Sequence, residues 1–195
     1  GVFLDMLSTH EPLGFQESMQ GNSLFDRVTL NVFKSHKEVY IHREFRKLWG
    51  NDETFYNGAG FKIPTLGIGR GMHREYHYNT DNLENMSLYN MEETAWILMR
   101  IVEVIESDYI PVLSYMGPLY LSRYGLFINK HEDYDGYINS EKIQALADGQ
   151  LSCFDIADKL NLDFYFVRNF FDKMLEKDLI TRVERNPKES DSGFL

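Results

Sequence analysis

The sequence predicts an α/β fold: a partial sheet with flanking helices, followed by a small helical domain. Two apolar segments, residues 2–7 and Ile63–Ile68, have the length and composition of buried strands. The second of them leads into a polar stretch, and the clearest helical pattern of the chain follows and ends near Ser107. Strands and helices that succeed one another in this way are typical of α/β domains.

Composition and charge limit the functions that the chain can have. The 195 residues carry a formal net charge of −10, which disfavours a general nucleic-acid surface, and 43% of them are hydrophobic, which suffices for a core. The one cysteine, Cys153, excludes an internal disulfide framework and fits a reducing compartment, so we expect a cytoplasmic protein. We expect neither a membrane-spanning helix nor a signal peptide, and therefore no membrane partner.

Local signals place the elements of the first half. We predict strands at residues 2–7, 15–19, 39–45 and 63–68, a helix from residue 22 or 23 to His36, and a short helix at 53–56. The long helix begins near Ser87 or Asn90, because Asn90 and Glu93 fit a capping box. Its buried stripe at helical spacing is expected to be Ala95, Leu98, Val102 and Ile105.

The second half begins with an aromatic, turn-rich connector, residues 108–138, in which a short strand is expected at 125–128. Ser140 and Ser152 are expected to cap two helices, followed by a third helix at 164–177 and a strand at 179–184. Helix, helix–turn–helix and strand is the order of a winged-helix domain. We therefore divide the chain into domains 1–130 and 131–185 and a frayed tail, 186–195.

Candidate ligating residues follow the strand at 63–68, where open α/β sheets place their chemistry. His77 is the candidate ligand, and Asp81 lies four residues later. Asp5 lies inside an apolar strand, so its carboxylate needs a partner, either a hydrogen-bonding group or a metal. His73 and His77 would pair on a helix, but the glycines before them favour a loop.

Three segments in this order resemble the C-terminal half of the di-zinc aminopeptidase superfamily, which includes bacterial leucyl aminopeptidases and glutamate carboxypeptidase. They are V-F-L-D-M-L at 2–7, G-N-D-E-T-F-Y-N-G-A-G-F-K-I-P-T at 50–65 and E-Y-H-Y-N-T-D-N at 75–82. Glu53 stands where that superfamily has His, and Tyr78 stands where it has Thr. Later stretches, such as S-R-Y-G-L and A-D-G, resemble a bacterial branch that ends in a winged helix.

The resemblance implies a site in which Asp5 is a carboxylate ligand of one zinc and His77 is the imidazole ligand of the other. Asp81 would orient the loop or the ligating side chain through a hydrogen bond, without binding the metal itself. Asp52 is interpreted as a helix cap and the neighbouring Glu53 as a solvated charge, with a role in the site as the alternative for both. Arg70 is interpreted as a surface ion-pair former or as a group that binds a substrate carboxylate.

By the same resemblance, the superfamily's first His, its bridging Asp and its Glu-Glu pair lie upstream of the strand that bears Asp5. We therefore expect a fragment of a zinc-dependent aminopeptidase-like hydrolase that is inactive as this chain alone. The intact parent would act on a peptide-like or amide small-molecule substrate. A missing N-terminal half or a homo-oligomer is the expected protein partner, and no nucleic acid is expected.

Two other functions stay open. The chain is alternatively a non-catalytic interaction module, or a fragment whose exposed sheet edge needs its partner half. Regulation through DNA binding by the winged helix is disfavoured, because residues 131–195 contain 14 Asp and Glu against 8 Lys and Arg. The expected recognition helix offers Arg168 and Asn169 as groups that read base edges.

Overall fold

The computed structural model describes residues 1–185, so the tail predicted at 186–195 lies outside the described residues. The chain forms two compact units, one ending at Glu103 and one beginning at Val104. The boundary near residue 130 rests on the change in composition there, and it stays a prediction. Within residues 1–185, no helix is long and apolar enough to cross a membrane.

The first unit is built on a four-stranded mixed sheet with flanking helices, which confirms the α/β class. Its strands are β1 (Val2–Asp5), β2 (Leu13–Gln16), β3 (Ile41–Arg43) and β4 (Leu66–Arg70), in the spatial order β1-β4-β2-β3. β1 is parallel to β4 and β2 is parallel to β3, whereas β2 and β4 are antiparallel. The carboxyl ends of β1 and β4 therefore lie at one edge of the sheet, and those of β2 and β3 lie at the opposite edge.

The helices that flank this sheet are α1 (Leu24–His36), α2 (Glu53–Asn57) and α3 (Leu88–Ser107), with a 3₁₀ turn at Leu83–Asn85. Ser23, one of the two residues expected to begin α1, does so through a capping box: its hydroxyl accepts from the Asp26 amide and the Asp26 carboxylate accepts from the Ser23 amide. The same buried carboxylate accepts from the amide and the hydroxyl of Ser18, at 2.7 and 2.6 Å. The start of α1 is thereby tied to the end of β2.

The strands are shorter than predicted, and β4 begins later. Ile63 donates its amide to Tyr56 O at 2.9 Å, and Pro64 has no amide hydrogen, so neither residue joins the ladder of β4. β2 begins at Leu13 instead of Phe15, and β3 covers three residues of the expected 39–45.

The buried stripe of α3 is a different one from the stripe predicted. Ala95 and Val102 are exposed. The buried residues are Thr94, Ile97, Ile101 and Val104. Both sets recur at helical spacing, so the periodicity alone does not choose between them. The rotation of the helix is fixed by Arg70, which donates to Asn90 O and to the Glu93 carboxylate. The helix begins at Leu88, and Ser87 Oγ accepts from the Asn90 amide at 3.3 Å, so of the two expected start residues Ser87 holds the cap position and Asn90 lies inside the first turn.

The two glycines inside β4 leave room for neighbouring groups on one face of the sheet. A Cβ atom on Gly67 would lie 2.4 Å from Trp49 Nε1, and one on Gly69 would lie 2.2 Å from Asp5 O and 3.3 Å from the Trp49 ring. Trp49 is buried over these glycines, while Leu66 and Ile68 are part of the core. The glycines of this strand are therefore required by packing.

The second unit contains a two-stranded sheet and three helices: β5 (Tyr109–Leu113), α4 (Tyr134–Ala145), α5 (Cys153–Leu160), α6 (Phe164–Leu175) and β6 (Ile180–Glu184). β5 and β6 pair antiparallel. Ser152 caps α5, as predicted, and the structure shows that it does so through a capping box with Asp155. Asp133 and not Ser140 caps α4, and the strand expected at 125–128 is absent, since a 3₁₀ turn at Leu121–Tyr124 leads there into irregular backbone.

Aromatic packing and one buried ion pair hold the second unit together. α6 directs its apolar residues inward, namely Phe164, Val167, Phe170, Phe171 and Met174. The Asp108 carboxylate accepts from Arg185 Nη1 at 2.6 Å and from the Phe154 amide at 2.9 Å. Burial raises the pKa of Asp108 even though Arg185 and the amide favour its charged form. Arg185 also contacts Asp155 at 3.2 Å, so the end of β6 is tied to the start of α5.

Replacing Gly67 by Ala should destabilise the protein by about 1–3 kcal/mol, because the added methyl group overlaps the buried Trp49 ring. Urea denaturation followed by circular dichroism measures the effect. The matched control is Gly71→Ala, whose new Cβ would have its nearest neighbours at 3.5 Å. This control should change the free energy of unfolding by less than about 0.5 kcal/mol. Equal stability of the two variants would contradict the packing role of Gly67.

Cys153 should be inert in the folded protein. Its side chain is fully buried, and burial followed by the charge of Asp108 raises the pKa of the thiol. A disulfide reagent added to the native protein should therefore react slowly, and it should react at once after unfolding in urea. Thiolate release measured by absorbance gives both rates, and a native rate equal to the unfolded one would show that the second unit opens readily.

Candidate functional site

The candidate site lies at the edge of the sheet where β1 and β4 end. Asp5 is the last residue of β1 and is opposite Gly69 in the register of the parallel pair. Its Oδ1 accepts from the Met6 amide at 2.9 Å, and its Oδ2 accepts from Asn51 Nδ2 at 3.2 Å. The side chain is half-buried. Since each carboxylate oxygen accepts about two hydrogen bonds, Asp5 keeps lone pairs for a further group.

Asp5 is held by a polar network that the sequence analysis missed. Both carboxylate oxygens of Glu53 accept from the backbone N–H of Asn51, at 3.1 and 3.0 Å. Glu53 Oε1 also accepts from Gln16 Nε2 at 3.1 Å. Glu53 is fully buried, so its interpretation as a solvated charge is wrong. The adjacent Asp52 is exposed and occupies the N-cap position of α2 without a side-chain cap bond.

The Gln16 side chain connects this network to the next loop. Its Oε1 accepts from the amides of Leu48 and Trp49, at 3.1 and 3.3 Å. Gln16 and Glu53 are both fully buried, and the hydrogen bond between them runs from the donor Gln16 Nε2 to the acceptor Glu53 Oε1. The network therefore fixes the position of Asn51, whose side-chain Nδ2 donates to Asp5, and supplies the buried Glu53 carboxylate with hydrogen bonds from neutral donors.

Arg70 is buried and donates hydrogen bonds in several directions. Its interpretation as an ion-pair former at the surface is therefore wrong, because the side chain is not exposed. Its Nε donates to Leu7 O at 3.0 Å and its Nη1 donates to Glu11 O at 3.0 Å. Its Nη2 contacts Glu93 Oε2 at 2.7 Å, and Lys37 pairs with the other Glu93 oxygen. Burial raises the pKa of Glu93, but the hydrogen bonds from Lys37 and Arg70 outweigh that effect and hold the pKa below its usual value.

The loop after β4 holds the two histidines. Residues 71–82 contain no helix, which confirms the loop prediction. His77 is exposed, has a φ of +65°, and stacks on Tyr76 with ring centroids 4.0 Å apart. Asp81 contacts His73 Nε2 at 3.1 Å, so the expected orienting carboxylate serves the other histidine.

His73 is the histidine of this loop that sequence reasoning undervalued. Its side chain is 10% exposed. Its buried Nδ1 has no hydrogen-bond partner within residues 1–185. In many histidines that bind metals, one ring nitrogen is hydrogen-bonded to a carboxylate and the other is left to bind the metal. The eight-residue separation from Asp81 follows no helix or strand period, so no sequence pattern could have revealed the pair.

The residues present do not by themselves fit a zinc pair. Within the part of the chain that the structure describes, no three His, Cys, Asp or Glu side chains converge in a group that could hold a metal ion. Asp5 and His77, the ligands that the resemblance implies, are not members of such a group. Residues 1–185 therefore offer at most part of a metal site.

The fold is similar to that of a crystal structure described as a "putative peptidase" from Clostridium acetobutylicum, with a TM-score of 0.80 and 19% sequence identity. The match covers 94% of this chain and 42% of that chain, so the present chain spans about two-fifths of that protein's length. The protein thus shares the α/β fold of that structure over almost its whole length.

The family is defined by sequence. Residues 1–108 match the family described as Domain of unknown function (DUF4910), and the chain belongs to it. The matched range covers the sheet, the polar network around Asp5 and the loop at 71–82. No curated protein sequence matches the chain.

Replacing Glu53 by Gln should destabilise the protein by about 1–3 kcal/mol, because an NH₂ group then replaces one of the two oxygens that accept from the Asn51 backbone N–H and places a donor against that donor. Chemical denaturation measures the loss. The control is Asp52→Asn on the neighbouring exposed residue, for which a change below about 0.5 kcal/mol is expected. Equal effects of the two substitutions would refute the network.

Proposed function

We propose that the protein acts in the hydrolysis of amide bonds in peptide-like or amide small-molecule substrates. The observation that carries the proposal is the fold similarity to the clostridial protein over 94% of the chain. The position of Asp5 agrees with it, because a half-buried carboxylate with free lone pairs lies where parallel strands end. The likeness in sequence of the segments at 2–7, 50–65 and 75–82 to zinc aminopeptidases points to the same class.

In this proposal the residues of the chain divide into ligands and positioning residues. Asp5 and His77 are the ligands that the chain contributes to zinc, and Asn51, held by buried Glu53, sets the orientation of Asp5. Asp81 holds His73 in the same loop, so the loop keeps an imidazole turned inward next to the exposed one. Arg70 stabilises the strand end that carries this loop and leaves substrate binding to other groups.

Two ligands do not hold a co-catalytic metal pair, so we propose that this chain alone is inactive as a peptidase. The remaining ligands and the general base would come from outside these residues, either from a second copy of the chain or from the N-terminal half that the resemblance implies. The position of β1 fits that requirement, because it is the outermost strand of the sheet and pairs with β4 on one side only, and its residues Val2 and Leu4 are 37% and 41% exposed. An edge strand of this kind accepts another strand.

A non-catalytic interaction module is the second candidate, and the same exposed edge of β1 favours it. The three helices α4–α6 followed by β6 agree with the winged-helix order, and we keep that assignment as a proposal. The apolar side chains of α6 are turned inward and the C-terminal region is acidic. Both features favour a packing or protein-binding role over DNA binding.

Zinc titration by calorimetry tests the assignment of the ligands. The wild-type chain should bind zinc weakly, and Asp5→Asn and His77→Ala should each lower the affinity about tenfold or more. His10→Ala is the control, since His10 is exposed and lies outside the site. Equal zinc affinity of all four proteins would refute the assignment. Cleavage of aminoacyl amides by the chain alone would show that no further ligands are needed.

A further inference from the structure

An open cavity of about 620 Å³ lies beyond the carboxyl ends of β2 and β3. Because β2 is antiparallel to β4, this cavity is at the edge of the sheet opposite to that of Asp5. Its volume is within the range of small-molecule sites. Its lining residues are Glu17, His42, Arg43, Glu44 and Lys47. None of them belongs to the site described above.

The walls of the cavity are fixed by contacts between the two strand ends. The Glu17 amide donates to Arg43 O at 2.9 Å. The Glu17 carboxylate contacts His42 Nε2 at 2.8 Å. The His42 ring stacks on the buried Phe15 ring, with centroids 4.5 Å apart and planes 20° apart. Ligand-binding groups that are held in this way lose little conformational freedom when a ligand binds.

The far wall is a tight turn that follows β3. Lys47 donates its amide to Glu44 O at 3.1 Å, which closes the turn and places both side chains on the cavity. Arg43 Nη1 donates to His42 O at 2.8 Å, and its other guanidinium donors are available to a ligand. The lining thus combines two carboxylates and an imidazole with a guanidinium and an ammonium group.

This combination of charges selects among ligand classes. A lone anion would be repelled by Glu17 and Glu44, and a lone cation by Arg43 and Lys47. A metal ion does not fit, because no metal-binding group of three acidic, His or Cys side chains exists within residues 1–185. A molecule that carries both an ammonium and a carboxylate satisfies both kinds of side chain.

We propose that this cavity binds a small zwitterion, either a free amino acid or a short peptide with both termini charged. The ligand carboxylate binds Arg43 and Lys47, and its ammonium group binds Glu17 and Glu44. All the lining residues are ionisable, so recognition is directed at the termini, and ligands with small or polar side chains bind best. The proposal does not rest on hydrolysis at the Asp5 edge and stands if that activity is absent.

Glycylglycine is the probe for this site, with the whole chain as the protein. Calorimetry and the His42 ring signals in NMR spectra should show saturable binding in the millimolar range. N-acetylglycylglycine lacks the ammonium group and glycylglycine amide lacks the carboxylate, so each should bind about tenfold or more weakly, as expected for the loss of a hydrogen bond between charged groups. Absence of saturable glycylglycine binding would overturn the proposal. Tighter binding of inorganic phosphate than of glycylglycine would overturn it too, in favour of an anion site.

Substitutions assign the two ends of the ligand. Arg43→Gln should weaken glycylglycine binding about tenfold and leave the weaker binding of the amide unchanged, because that probe has no carboxylate. Glu17→Gln should do the converse, with an unchanged affinity for N-acetylglycylglycine. Lys62→Gln is the matched control, because Lys62 is exposed and lies outside the cavity. Equal loss in all three variants, with circular dichroism confirming that each is folded, would refute the assigned orientation.

Discussion

The buried guanidinium of Arg70 is the interaction on which the first unit depends. It is 3% exposed, and it joins the loop after β1, the segment before β2 and the first turns of α3. A buried cation is costly unless it is paired, and Glu93 supplies the pair while it also binds Lys37 at the end of α1. One side chain therefore sets both the rotation of α3 and the course of the chain beyond Asp5.

The elements that the sequence predicted well are those with a local cause. Ser23 with Asp26, and Ser152 with Asp155, specify the starts of α1 and α5 within four residues, and both capping boxes are formed. The face of α3 had no such local cause. Two apolar stripes fit its period, and the choice between them is made by Arg70 at the end of a distant strand.

Only part of the site was predicted, and the physical reason is the same. Asp5 was found because a carboxylate inside an apolar strand is a local anomaly, whereas buried Glu53 reads as an ordinary charge until Asn51 and Gln16 are placed beside it. His73 was undervalued because its partner Asp81 is brought to it by an irregular loop. Residues that an irregular loop brings together are not spaced at a regular interval in the sequence. The cavity lined by Glu17 and His42 is another feature that no sequence period reveals.

The positions of the two tryptophans make the two compact units spectroscopically distinct. Trp49 is buried against the glycines of β4 and Trp96 is 42% exposed, and both precede Val104. The sequence contains two tryptophans in all, so indole emission reports on the first unit, with Trp49 as the residue whose emission shifts when the sheet opens. A denaturation curve followed by indole fluorescence is therefore blind to the second unit. Comparison with a probe in the second unit, such as the Cys153 thiol, shows whether both units unfold in one cooperative step.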